Sequence, residues 1–487
     1  MRRHVFSVPG ALIGIMTLAT VLRLLHLGSE SLWLDEIISV AIAHLDWATL
    51  WKVLSRFEAN MALYYGLLHF WIKLSESEVA VRSLSVVAGL LTVPVLYALG
   101  GRMFGTRAGL ISALLLATNA FHIRFSQEAR AYTLVVLLTS LSSLFFIRAI
   151  ERQSRADWAG YVLTGTLAVY SHFLAVLVLG AQLASLVVLR PRDVPWKRVM
   201  ISISFMGLLL VPLAIFVFTR DHGQLGSVPK FRPSDIYSLF DSFTGGGKPL
   251  VLAYFVPCCI ALVQAFRTWS RLKLSLETWR YAFLIEWLFG PILVGIAISF
   301  FEPLLVARYF IICLPPLVLL AAVGISSLSS KWVRAGGLVL LLALSGRAIF
   351  SYYSFPEKED WRGATAYVVS HALESDGIFF YIDTGRLGFD YYVRRLNPAA
   401  QPWKIVFPES LDWEQELTTE EPDHAIALLP QCCQRVWLVL SHNDAGPIRH
   451  QTSRSIETSL SSQYPDEAEK QFKGVRVLLY SREKQAR

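Results

Sequence analysis

The sequence predicts a polytopic α-helical membrane protein that ends in a small α/β domain. Three observations carry this. Of 487 residues, 54% are hydrophobic and 17% charged, with mean hydropathy +0.47, whereas soluble chains carry about 25% charged residues. Apolar stretches of bilayer-spanning length recur through residues 1–352. A polar segment, 353–487, follows with its own helix and strand patterns. Together these exclude a disordered or fibrous chain and an ordinary cytosolic enzyme.

A membrane helix needs about 20 mostly apolar residues. Eleven segments are candidates: 8–27, 80–100, 107–126, 130–149, 158–172, 174–190, 199–219, 250–267, 281–301, 304–324 and 334–352. The first starts like a signal peptide, with Arg2 and Arg3, but runs long and lacks a small-residue cleavage site. A retained helix is therefore expected. Prolines 94, 212, 257, 291, 315 and 316 fall inside spans, where membrane helices tolerate them.

Charge sets the expected orientation. Residues 353–487 hold 15 Lys+Arg against 20 Asp+Glu, a net −5; the first 352 hold the remaining 30 against 17, a net +13. The basic excess thus lies between apolar segments, as the positive-inside rule requires. No nucleic-acid-binding motif accompanies it, and nucleic acid is not an expected partner. With the N-terminus cytoplasmic, loops 1–7, 101–107, 148–157, 190–198, 267–280 and 331–334 face inward and hold 17 Lys+Arg in 51 residues. An odd helix count then places 353–487 outside the cell's inner membrane, in the periplasm of a bacterium.

Two outer loops are long. In 28–79, Asp46 is expected to cap a helix with Trp47, Leu50, Trp51 and Leu54 on one face. A second piece, Asn60 to Leu74, carries Met61, Tyr64, Leu68 and Trp71 on one stripe. Both pieces read as interfacial helices. The loop 220–249 ends in three glycines and reads as a gate or linker. In the C-terminal part, Asp360 opens a helix to about Leu373, and 378–382, 436–441 and 475–481 read as strands. It shows no phosphate loop or nucleophile elbow, so catalysis within it is not expected. Cys432 and Cys433 are expected as free thiols, with a vicinal disulfide the alternative; no C-x-x-C spacing exists.

Three groups could carry chemistry. Asp35 and Glu36 follow the first helix, at the outer face, where a carboxylate can act as general base or cation ligand; alternatively they are solvated acids at a helix start. The run Phe125-Ser126-Gln127-Glu128-Ala129-Arg130-Ala131-Tyr132 sets polar groups between two spans, where they are costly and usually functional. Arg82, His172 and Arg308 fall at the same face and together could line a phosphate pocket.

This order of features resembles the GT-C glycosyltransferases, specifically the bacterial family-39 type, related to protein O-mannosyltransferases and the lipid A aminoarabinose transferase. The matching pieces are the acidic pair, the Tyr64-Tyr65 helix, Arg82-x-x-Ser85, Ser126 to Tyr132, Tyr170-Ser-His-Phe173 and Ala307-Arg-Tyr-Phe310. Relatives often have Pro-Pro ahead of the Tyr-Tyr pair; here Asn60-Met61-Ala62-Leu63 stands instead. The resemblance implies a GT-C-like core, 1–352, of about eleven spans, including loop 28–79, and an extracytoplasmic domain, 353–487. It implies transfer of a sugar from a polyprenyl-phosphate donor to a lipid, glycan or protein acceptor, by inverting displacement. In that reading Asp35 is the base, supported by Glu36. Arg82, Arg130 and Arg308 stabilise the departing phosphate, and Glu128, Tyr132, His172, Tyr64 and Tyr65 contact phosphate or sugar. A divalent cation is left open, because some relatives use one; Asp35 and Glu36 are the only candidate ligands, too few for a tight site. The alternative reading is a secondary transporter or lipid-linked-sugar flippase, but no internal repeat is apparent and the polar clusters gather at one face.

Overall fold

The computed structural model describes residues 8–482, apart from 57, 220–230, 356, 375, 397–402, 412–421 and 443–446. The helices, in chain order, are α1 Val8–Leu24, α2 Leu34–His44, α3 Trp47–Arg56, α4 Ala62–Trp71, α5 Glu78–Phe104, α6 Thr106–Ala117 and α7 Ala120–Ser126. There follow α8 Tyr132–Arg152, α9 Arg155–Ser171, α10 Ala175–Ser185, α11 Trp196–Thr219, α12 Ser234–Thr244, α13 Lys248–Leu272, α14 Leu276–Ser299, α15 Leu314–Ser326 and α16 Lys331–Ser354. The C-terminal part adds α17 Trp361–His371, α18 Gly385–Leu396, α19 Pro422–Cys432 and α20 Pro447–Gln463. Its strands are β1 Gly377–Tyr381, β2 Lys404–Phe407, β3 Arg435–Ser441, β4 Asp466–Phe472 and β5 Val475–Ser481. The chain packs into two compact units: 1–27, 58–67 and 82–355 form the first, and 28–57, 68–81 and 356–487 the second.

In the first unit each expected apolar segment contains helix, two of them only in part or broken. Among the described residues six helices are long and apolar enough to cross a membrane: α5, α8, α11, α13, α14 and α16. The segment expected as one span over 107–126 is instead α6 and α7, bent by 61°. Asn119 explains the break: its Oδ1 accepts the His122 backbone N–H at 2.9 Å, capping a new helix. Its Nδ2 donates to the Phe243 carbonyl at 2.9 Å, fastening the break to α12. The segment expected from 304 becomes helical only at Ile311, which leaves Arg308 on non-helical chain. Within 220–249, α12 replaces the expected linker over 234–244; residues 220–230 lie outside the described ones.

Three loops read as one membrane face meet in the first unit. Glu151 pairs with Arg102 at 2.5 Å and with Arg280 at 2.7 Å. Arg280 also donates to the Met103 carbonyl at 3.1 Å. Arg148 and Asp157 pair at 2.7 Å nearby in sequence, joining α8 to α9.

The second unit holds a five-stranded sheet in the order β2-β1-β3-β5-β4. β1 runs parallel to β2 and β3, while β5 is antiparallel to β3 and β4. One face buries Phe379, Phe407, Leu429, Leu438, Leu460 and Leu478 in a common core. Cys432 and Cys433 are joined as a vicinal disulfide, not left as the expected free thiols: adjacent Cα atoms 3.8 Å apart bring the two sulfurs together. The interfacial helix starts where expected, with Asp46 Oδ1 accepting the Ala48 and Thr49 N–H groups at 3.0 and 3.2 Å. Its expected single stripe is divided: Leu50 and Leu54 are buried, whereas Trp47 and Trp51 are 55% and 63% exposed.

Candidate functional site

The first unit gathers the residues expected to meet phosphate. The framework begins with Arg23 of α1, fully buried, whose hydrogen-bond partners among the described residues include no carboxylate. All its donors are used: Nε to Ser126 Oγ at 3.2 Å, Nη1 to the Ala19 and Ala117 carbonyls at 3.1 and 3.2 Å, and Nη2 to the Leu116 carbonyl at 3.3 Å and His122 Nδ1 at 2.8 Å. The α6–α7 break leaves the Ala117 carbonyl without a helical partner, and the guanidinium satisfies it inside an apolar core. Gly89 allows this approach, since a Cβ there would sit 2.3 Å from Ser126 Oγ. Gln127 then ties α7 to both ends of the unit: Nε2 donates to the Arg23 and Leu25 carbonyls, and Tyr352 of α16 donates to Oε1 at 2.9 Å.

On this frame sits a linked polar set. Tyr64 and Ser85 hydroxyls lie 2.9 Å apart, and Ser85 Oγ donates to the Arg130 carbonyl at 3.1 Å. Thr133 closes the link by donating to the Ser85 carbonyl at 2.9 Å. Arg130 lies close enough to His172 to interact electrostatically with its ring. The Tyr132 and His172 ring centroids are 6.4 Å apart, those of His172 and Tyr309 are 5.7 Å apart, and the Arg308 guanidinium lies 5.5 Å from the Tyr309 ring centre. Thus Tyr64, Arg130, Tyr132, His172 and Arg308 are brought into one connected set.

His172 is the informative member. It sits in the break between α9 and α10, and Asn60 Oδ1 accepts the Phe173 N–H at 3.0 Å beside it. Its Nδ1 accepts the Leu174 backbone N–H at 3.3 Å. An acceptor at Nδ1 leaves the proton of the neutral ring on Nε2. That Nε2 is buried and has no hydrogen-bond partner among the described residues, a state that costs about 1–3 kcal/mol unless a ligand accepts the bond.

Other expected residues fare differently. Arg82 is buried and donates to the Leu27 carbonyl at 2.8 Å. Glu128 is buried, with Oε1 3.4 Å from Arg124 Nε. Tyr65 is buried in the core of the first unit.

The second unit separates the two adjacent acids. Glu36 is fully buried, and its Oε2 pairs with Lys358 Nζ at 3.2 Å, a lysine itself only 9% exposed. The same oxygen accepts the Trp33 N–H at 3.4 Å as half of a capping box. Asp35, on the other side of the first turn of α2, is only partly buried. The loop that carries them is clamped by residues beyond the last span. Glu78 receives Arg362 at 2.9 Å and Arg395 at 3.2 Å. Tyr392 OH accepts the Leu32 N–H at 2.7 Å, and Tyr391 OH donates to the Glu76 carbonyl at 2.6 Å. Among the described residues no three His, Cys, Asp or Glu side chains are grouped to hold a metal ion, and the lysine ammonium already occupies Glu36.

Sequence reasoning missed Arg23, Ser85, Asn60, Lys358 and Glu359 as framework. For Arg23 a signal existed: an arginine inside an apolar span is rarely without a role.

A helical core with at least six apolar spans and a C-terminal sheet domain define a multi-pass membrane protein with a GT-C-like fold. Residues 58–218 match the family model described as dolichyl-phosphate-mannose-protein mannosyltransferase. The crystal structure of ArnT from Cupriavidus metallidurans in the apo state is similar over 97% of this chain and 98% of that one, at 14% identity and TM-score 0.63. The same protein bound to undecaprenyl phosphate matches at 13% identity and TM-score 0.59, with the same coverage. The Archaeoglobus fulgidus oligosaccharyltransferase tethered to an acceptor peptide matches 89% of this chain and 69% of its own, at 13% identity and TM-score 0.53. No curated protein sequence matches.

Proposed function

We propose that this protein is a membrane glycosyltransferase that moves a sugar from a polyprenyl-phosphate donor to the hydroxyl of a lipid, glycan or protein acceptor at the extracytoplasmic face. The observation that carries the reading is the buried His172 Nε2 donor, set among Arg130, Tyr132 and Tyr309, which calls for an anionic or hydroxyl-bearing ligand. The mannosyltransferase family match and the likeness to ArnT with bound undecaprenyl phosphate support the choice of a lipid phosphate.

In this mechanism Asp35 accepts the acceptor's hydroxyl proton as its oxygen attacks the anomeric carbon. The bond from that carbon to the phosphate oxygen breaks, and its electron pair leaves with the polyprenyl phosphate. Arg82, Arg130 and Arg308 stabilise the departing charge in a low-dielectric setting. His172 donates from Nε2, and Tyr132 and Glu128 contact phosphate or sugar. Glu36 holds α2 in place through Lys358. The N-terminus lies in the cytoplasm, and residues 353–487 lie in the periplasm.

The test is polyprenyl-phosphate release in proteoliposomes supplied with a panel of polyprenyl-phosphate sugars and a membrane extract as acceptor. Wild type is expected to release it and Asp35→Asn is not. Equal release from both removes Asp35 as the base.

A further inference from the structure

The sheet of the second unit is wound in both directions from β1. Phe380 of β1 meets Phe389 of α18 on one face, with 5.4 Å between ring centroids. Phe379 shares the core of the other face with Leu429 of α19. From β1 the chain crosses through α18 to β2 on one side, then through α19 to β3 on the other. The two crossovers diverge between the carboxyl ends of β1 and β3. Open α/β sheets bind their ligands at such a switch point.

Two polar atoms are left over there. Tyr381 pairs with Leu440 at the end of the β1–β3 ladder, so Ser441 and His442 lie just beyond it. Ser441 is 1% exposed, and its Oγ has no hydrogen-bond partner among the described residues. The hydroxyl faces the start of α18: a Cβ on Gly385, the first residue of that helix, would lie 3.6 Å from Oγ. His442 takes a left-handed φ of +52°, an uncommon state for a residue with a side chain and one that clusters at functional sites. Its Nε2 lies 3.1 Å from Glu359 Oε1. The carboxylate accepts there, so the neutral ring keeps its proton on Nε2 and offers a lone pair at Nδ1. Nδ1 is buried and also without a hydrogen-bond partner among the described residues. The side chain as a whole is 32% exposed, which opens the site to solvent.

This chemistry selects hydroxyls rather than an anion. One hydroxyl, or two neighbouring ones on a sugar ring, can accept from Ser441 and donate to His442 Nδ1. A phosphate would find few donors. The first N–H groups of α18 are used within its own turn, Gly385 on Ile382, Arg386 on Asp383 and Leu387 on Thr384. The Arg386 side chain is engaged by Asp390 and by the Pro408 and Glu409 carbonyls, and the Glu359 carboxylate on the far side of the imidazole repels negative charge. We propose that Ser441 and His442 form a subsite for a neutral, hydroxyl-rich ligand, a carbohydrate, at the switch point of the C-terminal domain. None of its groups belongs to the set around His172, and the inference holds whichever residue acts as the base.

The experiment is saturation-transfer difference NMR on the full-length protein in phosphatidylcholine nanodiscs, free of glycosidic detergent. The probes are the methyl glycosides of mannose, glucose, galactose and N-acetylglucosamine. At least one should take up saturation from the wild type. Ser441→Ala should weaken that binding about three- to tenfold with Tm unchanged or higher, because Oγ has no internal bond to lose. His442→Gln, whose amide nitrogen reaches toward the position of Nε2 and keeps the Glu359 contact while the Nδ1 acceptor is gone, should weaken it to a similar degree. If His442→Gln fails to fold, Ser441→Ala decides alone. His172→Asn should bind as the wild type does. No saturation of any probe overturns the inference, and so does wild-type affinity in Ser441→Ala. Binding that is lost in His172→Asn and kept in Ser441→Ala assigns the sugar to the first unit and overturns it as well.

Discussion

Replacing His172 by asparagine separates the two nitrogens of the ring. Asparagine places an oxygen near the position of Nδ1, so the Leu174 N–H, accepted at 3.3 Å in the native protein, keeps its partner. What is lost is the Nε2–H, buried and otherwise without a hydrogen-bond partner. A hydrogen bond to a charged group contributes about 1.5–3 kcal/mol, and each 1.4 kcal/mol is about tenfold. If Nε2 donates to the donor's phosphate, His172→Asn should therefore lower kcat/KM for the lipid-linked sugar by about 10- to 100-fold. Glutamine, whose amide nitrogen reaches toward the position of Nε2, should restore part of it. Unliganded stability should not fall, because no internal bond of Nε2 is broken, and a small gain is expected as an unsatisfied buried donor is removed. The assay is donor titration of polyprenyl-phosphate release, with thermal unfolding of the detergent-solubilised protein as control. Wild-type kcat/KM in His172→Asn, or a drop that glutamine and alanine share equally and that tracks lost stability, refutes the reasoning.

Arg23→Ala orphans at least the Ala117 carbonyl and His122 Nδ1 in the core of the first unit, at about 1–3 kcal/mol each. A marked fall in Tm is expected, with Arg23→Lys intermediate; an unchanged Tm in Arg23→Ala would contradict it. Lys358→Met removes the ammonium beside the buried Glu36 carboxylate and should lower stability, and the double variant with Glu36→Gln should lose less than the sum of the two single variants; additive losses in a double-mutant cycle count against this pairing. For Glu359 the sign runs opposite to that of a salt-bridged acid. Its native proton affinity is raised, so its contribution to stability is present below the unfolded carboxyl range and is lost as pH rises through the native value. Glu359→Gln should therefore be at least as stable as wild type at pH 7 and lose that advantage near pH 4, as read by Tm against pH.

The membrane helices were legible because twenty apolar residues leave few alternatives in a chain. Where a helix broke was harder to see. Thr118-Asn119 carries no proline or glycine, and Asn119 marks a cap only once its partners at His122 and Phe243 are in place. In the sheet, β1, β3 and β5 were visible as apolar runs, while β4, Asp466–Phe472, reads as charged surface because it is an edge strand with mostly exposed side chains, the usual guard against edge pairing. Arg82, His172 and Arg308 stood out in sequence as one group and Glu128, Arg130 and Tyr132 as another, because ionisable groups near a membrane face are scarce; that Tyr132 and His172 come within ring-contact distance was not legible. The long-range partners of Asp35 and Glu36 were not. Lys358 and Glu359 lie more than three hundred residues away, and their own surroundings in sequence, Pro356-Glu-Lys-Glu-Asp360, read as a solvated charge run.

That contrast bears on how two adjacent acids divide their work. In sequence Asp35 and Glu36 are equivalent candidates. Being neighbours on α2, they point about 100° apart around the helix axis, so one can face the core while the other does not. Glu36 faces inward, meets Lys358 and closes the capping box, and its charge is spent on structure. Asp35 faces a partly open environment and shares its turn with a second acid that the fold brings in from the C-terminal part. The division therefore favours Asp35 over Glu36 as the reactive acid. It also predicts that Glu36→Gln should lose stability in proportion to activity, whereas Asp35→Asn should lose activity at unchanged Tm.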